Sequence, residues 1–130
     1  MYSHHQGNDE MSSAAFLEKA QGWGRTLEDK EAARTGLRLV EARPLVARKT
    51  GVAPGTLENL RNGRLKAIAA HVYERLRAGV IHELEAEMRH LEHELQILRQ
   101  TGVDPRSGED AALVASLAKV REALGLKPDM

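Results

Sequence analysis

The chain has 130 residues, 19 lysines and arginines balanced by 19 aspartates and glutamates, and no cysteine, which suits one compact domain with an extension. The lack of cysteine excludes disulfides and thiolate zinc sites and is typical of a reducing compartment. No stretch reaches the roughly 18 apolar residues of a membrane span, and the polar N-terminus is unlike a signal peptide. The sequence therefore predicts a soluble, cytoplasmic protein.

Helical periodicity runs through most of the chain, and no alternating strand pattern is evident, which predicts an all-α fold. We expect three regions. Residues 1–11 are polar and are expected to form a disordered tail. Residues 12–66 are expected to form a small helical domain, and residues 67–130 a helical hairpin that mediates oligomerisation.

Two helices are predicted before the centre of the chain. Ser12 or Ser13 can cap a first helix to about Gln21, which the two glycines around the tryptophan are expected to end. Thr26, with an aspartate three residues later, resembles a capping box for a second helix to about Ala42. The apolar positions of this second helix are expected to pack on the helices that follow: Ala33, Leu37 and Val40.

A tight turn between two further helices is predicted by four small or apolar residues at a characteristic spacing: Ala47, Gly51, Leu57 and Leu60. A small alanine lets two helices approach closely where they cross. The glycine four residues later can adopt the left-handed conformation that ends the first helix. The two leucines share one face of the next helix and fill the corner between the two helices.

Residues 43–62 resemble the helix-turn-helix DNA-binding domains of phage repressors and of the lactose-repressor family. The resemblance implies that Pro44 starts a positioning helix and Pro54 starts a recognition helix that enters the major groove. Val46 and Val52 match the usual apolar sites. One departure is at the start of the recognition helix. Many relatives carry a serine or threonine there that caps the helix and also bonds a phosphate, and this chain does not.

If the leucines of the recognition helix point inward, its opposite face points towards DNA. Asparagine can form hydrogen bonds with adenine, and glutamate can accept a hydrogen bond from cytosine. The residues expected to read base edges are Gly55, Thr56, Glu58, Asn59 and Asn62. Six basic residues are expected to bind phosphates: Arg43, Arg48, Lys49, Arg61, Arg64 and Lys66. A basic island in a neutral chain indicates a local contact surface. The alternative is a solvated basic hairpin within a helical bundle.

A long helical pattern begins near Leu65 and continues to about Gln100. Its first part carries an apolar stripe suited to packing on the preceding domain: Ile68, Val72, Leu76 and Val80. Its second part has heptad spacing, which predicts a coiled-coil seam for oligomerisation formed by Ile81, Leu84, Met88, Leu91, Leu95 and Leu98.

A final helix is predicted from about Gly108 to Leu124, and Ser107 with Asp110 resembles its capping box. Its apolar face is formed by Leu113, Leu117, Val120 and Leu124. The short connection favours an antiparallel hairpin with the long helix. Self-association as a homodimer or a higher homo-oligomer is expected, because one helix-turn-helix has a small footprint and a two-fold pair matches a palindromic site. The alternative is a monomeric bundle.

Other chemistry has weaker support in the sequence. Glu87, His90 and His93 share a helical face and loosely resemble ligand spacing in carboxylate metal bundles, but the charged residues around them favour a solvated flank. No nucleophile lies in a recognisable catalytic setting, so enzyme activity is not expected. The sequence also predicts no metal site and no other cofactor.

The residues and the resemblance together predict a sequence-specific protein that binds double-stranded DNA, such as a dimeric transcriptional regulator or a phage or plasmid accessory factor. Two alternatives remain open. A phage terminase small subunit similarly joins a helix-turn-helix to an oligomerising helical hairpin. The chain could also be an assembly module that uses its coiled coil and does not bind DNA.

Overall fold

The computed structural model describes residues 10–11, 13–102 and 108–125. Within them the chain forms five helices and one short antiparallel strand pair: β1 (Glu10–Met11), α1 (Ala14–Thr35), α2 (Leu39–Thr50), α3 (Pro54–Arg61), β2 (Ile68–Ala69), α4 (Ala70–Gln100) and α5 (Glu109–Ala123). The predicted all-α class is confirmed. The expectations for residues 1–9, for Ser12 and for the cap at Ser107 lie outside the described residues.

The helix α1 is a single helix of 22 residues. Ser13 caps it, its side chain accepting a hydrogen bond from the Ala15 amide at 3.2 Å. The helix ends at Gly36, whose φ of 76° is left-handed. The predicted break near Gln21 and the predicted second helix from Thr26 to Ala42 are therefore wrong.

The buried side of α1 explains both errors. Its buried residues follow helical spacing, but only two of the five are ordinary core residues: Ala20, Gly24, Leu27, Glu28 and Glu31. A glycine and two glutamates interrupt the apolar stripe when the sequence is considered alone. The contacts that make their burial favourable come from other helices.

The helix α2 begins earlier than predicted, at Leu39, so Pro44 lies inside it and does not start it. Leu37 lies in the short connection from α1 and Val40 is the second residue of α2, and they are 38% and 59% exposed, respectively. Ala33, on the last part of α1, is also exposed. The expectation that these three residues pack inward is therefore wrong.

The chain divides into two compact units, and the division falls within α4, between Val80 and Ile81. In the first unit, α1, α2, α3, β2 and the start of α4 surround one apolar core: Ala20, Leu27, Val46, Val52, Leu57, Leu60, Ile68, Tyr73 and Leu76. Trp23 and Phe16 add ring contacts to Tyr73 at centroid distances of 5.0 and 5.3 Å. The predicted inward packing of Ile68, Val72, Leu76 and Val80 is confirmed, but the predicted start of the long helix near Leu65 is wrong, because Ile68 lies on β2 and α4 begins at Ala70.

In the second unit, α5 runs antiparallel to the later part of α4. Two ion pairs give the direction, since Arg121 meets Glu92 at 3.1 Å while Arg99 meets Asp110 at 3.6 Å. The buried apolar residues of this unit are Leu95, Leu117 and Val120. The predicted apolar face of the last helix is confirmed at its central positions.

Candidate nucleic-acid interface

The turn between α2 and α3 has the local geometry that the sequence predicts. Gly51 has a φ of 81° and its amide donates to the Ala47 carbonyl at 2.8 Å. Its left-handed backbone would strain any residue with a side chain. Val52, in the turn itself, is 1% exposed and belongs to the core. The turn is therefore fixed by both backbone conformation and burial.

The helix α3 buries one side and exposes the other. Leu57 and Leu60 are 1% and 3% exposed and lie in the core of the first unit. The predicted base-reading residues are on the remaining surface, where Gly55, Glu58 and Asn62 are exposed and Thr56 and Asn59 are half-buried. The predicted base-reading face of α3 is therefore at least partly exposed in the first unit.

The C-terminal end of α3 is closed by a left-handed glycine turn. Gly63 has a φ of 69° and its amide donates to the Leu60 carbonyl at 3.1 Å, while the Arg64 amide donates to the Asn59 carbonyl at 2.8 Å. These two bonds form a Schellman motif, which satisfies carbonyls at the helix end. The motif also fixes where the backbone of Arg64 leaves the helix.

Two of the predicted phosphate-binding arginines form ion pairs inside the first unit. Glu28 on α1 is fully buried, and its two carboxylate oxygens accept from Arg43 Nε and, at 3.0 Å, from Arg61 Nη1. Arg61 also pairs with the exposed Asp29 at 3.2 Å. Arg43 is 12% exposed. This arrangement joins α1 to both α2 and α3 through one carboxylate.

A second acidic residue of α1 engages another predicted phosphate contact. Glu31 accepts from Lys49 Nζ at 2.7 Å and from Arg34 Nη2 at 2.8 Å. Burial acts most strongly on the pKa of Glu31 and raises it, but the hydrogen bonds and positive charges of Lys49 and Arg34 together outweigh burial and lower that pKa below its ordinary value. The carboxylate therefore stays ionised and keeps Lys49 near α1.

The other predicted phosphate contacts are more accessible. Arg48 and Lys66 are exposed, and neither side chain forms a hydrogen bond or ion pair with any described residue. Arg64 is 59% exposed, with Nη1 lying 3.7 Å from Glu58 and 3.4 Å from the Asn59 side-chain oxygen. Within the described part of the chain, two of the six basic residues are thus unpaired.

Sequence reasoning missed four residues that shape this surface. Glu28 and Glu31 hold three of its basic side chains. Arg25 donates to the Arg61 carbonyl at 2.9 Å and so covers the end of α3, and Arg75 from α4 donates to the Gly51 carbonyl at 3.0 Å. No local pattern marks these residues, because each contact joins positions at least 15 residues apart.

In the second unit, the predicted oligomerisation residues differ in exposure. Leu95 is buried, whereas five others are half-buried: Ile81, Leu84, Met88, Leu91 and Leu98. Nearby, His90 lies 3.6 Å from Glu94. In the ranges that the structure describes, no group of three His, Cys, Asp or Glu side chains is arranged to hold a metal ion.

The described helices also include none with the length and apolarity that crossing a membrane requires. Comparison of the chain with protein-family models, with curated proteins and with solved structures found no match. Its function must therefore be inferred from its own residues and contacts.

Proposed function

We propose that this protein binds double-stranded DNA sequence-specifically in the cytoplasm, as a dimeric regulator or a phage or plasmid accessory factor. The helix α3 enters the major groove and reads base edges with its exposed face. One observation carries the proposal: Leu57 and Leu60 anchor α3 in the core, while Glu58, Asn59 and Asn62 remain on its accessible side. A short, rigid helix with polar side chains outward suits groove reading.

The electrostatic part of binding is smaller than the sequence alone suggests. Residues 43–66 carry six basic side chains against one acid, but three acids of α1 contact this segment, namely Glu28, Asp29 and Glu31. Four of the six basic side chains, Arg43, Lys49, Arg61 and Arg64, thus already lie beside a carboxylate. We expect Arg48 and Lys66 to contribute most of the phosphate contacts, since their side chains need not leave another partner.

Doubling the reading helix would compensate for this small footprint. We propose that two or more copies associate through the half-buried apolar residues of α4 between Ile81 and Leu98, supported by α5. Two-fold pairing would present two α3 helices to a palindromic site. A site with inverted half-sites is therefore expected.

Selection of bound duplexes from a random pool tests this proposal directly. We expect an enriched site with two related halves, and tighter binding to that site than to scrambled duplexes. Arg48→Ala and Lys66→Ala should each weaken binding to all duplexes and reduce the slope of log affinity against log salt by about 0.9 for each phosphate that is no longer neutralised.

Arg89→Ala is the matched control, because it removes the same charge from an exposed position in the second unit. It should leave the salt slope unchanged. Circular dichroism should show that all three variants remain helical. A chain that binds no duplex even at low salt would refute the proposal.

The assembly module without DNA affinity is the second candidate, and a specific observation favours it. Four of the six expected phosphate contacts already pair with carboxylates of the same unit, which is typical of charges that stabilise a fold: Arg43, Lys49, Arg61 and Arg64. An oligomer that forms normally but fails to retard any duplex in a gel would support this candidate. A ring of many subunits that binds DNA would instead support the terminase-like alternative.

A further inference from the structure

Arg64 differs from the other exposed cations because α3 itself positions it. The Schellman turn at Gly63 reverses the chain, so the Arg64 amide bonds back to the Asn59 carbonyl at 2.8 Å. The Arg64 side chain also lies back along α3, since its Nη1 is 3.4 Å from the Asn59 side-chain oxygen. Although Arg64 follows α3 in sequence, its guanidinium thus lies beside residues from the middle of the helix.

A chain of alternating charges links this guanidinium to the core. The buried Glu28 holds Arg43, Arg43 Nη1 lies 3.9 Å from one oxygen of Glu58, and the other Glu58 oxygen lies 3.7 Å from Arg64 Nη1. Arg43 and Arg64 thus flank the two oxygens of Glu58. Among the described residues, Arg64 uses only Nη1 in these side-chain contacts, which leaves the edge formed by Nε and Nη2 available.

We propose that Arg64 reads a guanine base in the major groove, and does not serve as the phosphate contact that the sequence suggests. This inference rests on the proposed function. A free guanidinium edge carries two parallel donors, which match the O6 and N7 acceptors of guanine. Arginine to guanine is the commonest specific contact of this kind.

The neighbouring carboxylate favours a base over a phosphate. A phosphate bound to the free edge would bring its negative charge close to Glu58, which already shares the same guanidinium. Like charges at this range repel. The guanine edge is uncharged, so Glu58 can hold Arg64 in place without opposing the ligand.

A lysine substitution separates the two roles. Arg64→Lys keeps the positive charge but loses the planar pair of donors. We expect Arg64→Ala to lose about 5- to 150-fold in affinity for the selected site, as when one good bidentate pairing with a base is removed, and Arg64→Lys to lose less, because lysine can still donate to the same two acceptors. The affinity of Arg64→Lys for scrambled duplexes and its salt slope should remain those of the wild type. Lys66→Ala is the matched control and should weaken both classes of duplex equally.

Base analogues identify the atom that is read. Replacing the recognised guanine by 7-deazaguanine removes N7, which should weaken the wild type strongly and Arg64→Lys only slightly. Inosine keeps O6 and N7 and should bind the wild type as guanine does. Arg64 is largely exposed, so unchanged thermal unfolding is expected for its variants.

The outcomes separate this inference from the proposed function. If the wild type selects a site but Arg64→Ala weakens the selected site and scrambled duplexes equally, or 7-deazaguanine leaves wild-type binding unchanged, Arg64 does not read guanine and the inference is wrong. If the wild type binds no duplex, both the inference and the proposed function fail. Loss of discrimination in Arg64→Ala together with the analogue pattern would establish guanine reading.

Discussion

Glu28 shows how one side chain can organise three helices. A buried carboxylate is costly unless it is paired and hydrogen-bonded, and Glu28 meets Arg43 of α2 and Arg61 of α3 at its two oxygens. Both arginines are themselves mostly buried. Removing the acid would take the buried partner from both arginines and leave them only the exposed carboxylates of Asp29 and Glu58.

We therefore predict that Glu28→Gln lowers the free energy of unfolding by about 2–4 kcal/mol, because the amide has one acceptor oxygen and no charge. Urea denaturation followed by circular dichroism measures this change. Asp29→Asn is the matched control, since Asp29 is exposed and pairs with the same Arg61; its effect should stay within about 0.5 kcal/mol. Equal stability of Glu28→Gln and wild type would mean that apolar packing alone holds α1.

At the scale of the element, α3 could be predicted because its determinants are local. Gly51, Leu57 and Leu60 stand at fixed spacing, and the observed turn and helix follow them closely. By contrast, α1 could not be predicted, since its buried face includes Gly24 and Glu28. The burial of Glu28 depends on arginines 15 and 33 residues further along the chain. Local periodicity contains no information about such partners.

The same distinction applies to the candidate site. The exposed polar side of α3 follows from the position of its leucines, so the sequence was enough to propose it. Which basic side chains have an ion-pair partner could not be predicted in this way. Arg48 and Lys49 are adjacent in sequence, yet only Lys49 has an ion-pair partner among the described residues, and that partner comes from α1.

Glycine positions on α1 and α4 provide a test of helix packing. A Cβ at Gly79 would lie 3.1 Å from Thr50 and 3.2 Å from Leu27, so α4 approaches α1 and α2 closely there. We predict that Gly79→Val destabilises the protein by about 1–3 kcal/mol through overpacking. Thermal and urea unfolding would measure the loss of stability.

Gly22 is the control for this substitution. It lies inside α1 and is exposed, and a Cβ at this position would meet no neighbouring side chain within 4 Å among the described residues. Gly22→Ala should therefore stabilise the helix by up to about 1 kcal/mol. If Gly79→Val proved as stable as wild type, the three helices would have to separate readily at this point.

At the scale of the whole molecule, the chain is neutral, and two acids of α1, Glu28 and Glu31, pair with three of its clustered basic side chains. Charge alone would therefore give the proposed DNA binding little strength. The balance limits non-specific attraction to the duplex. Under the proposed function, specific contacts and duplication of α3 would then have to supply the affinity. Self-association is consequently the property on which the proposed function most depends.

We predict that Leu91→Glu, at the centre of the heptad seam, converts an oligomer of the wild type into a monomer, because a carboxylate cannot be buried between apolar helices without a partner. Light scattering over a range of concentrations measures the change. Ile97→Glu is the matched control, since Ile97 lies on α4 outside the seam and is 42% exposed; it should leave the oligomer intact.

DNA binding by Leu91→Glu should weaken on a palindromic site far more than on a single half-site. A wild type that is monomeric at every concentration, or a Leu91→Glu variant that assembles normally, would mean that α4 uses this face only within its own chain.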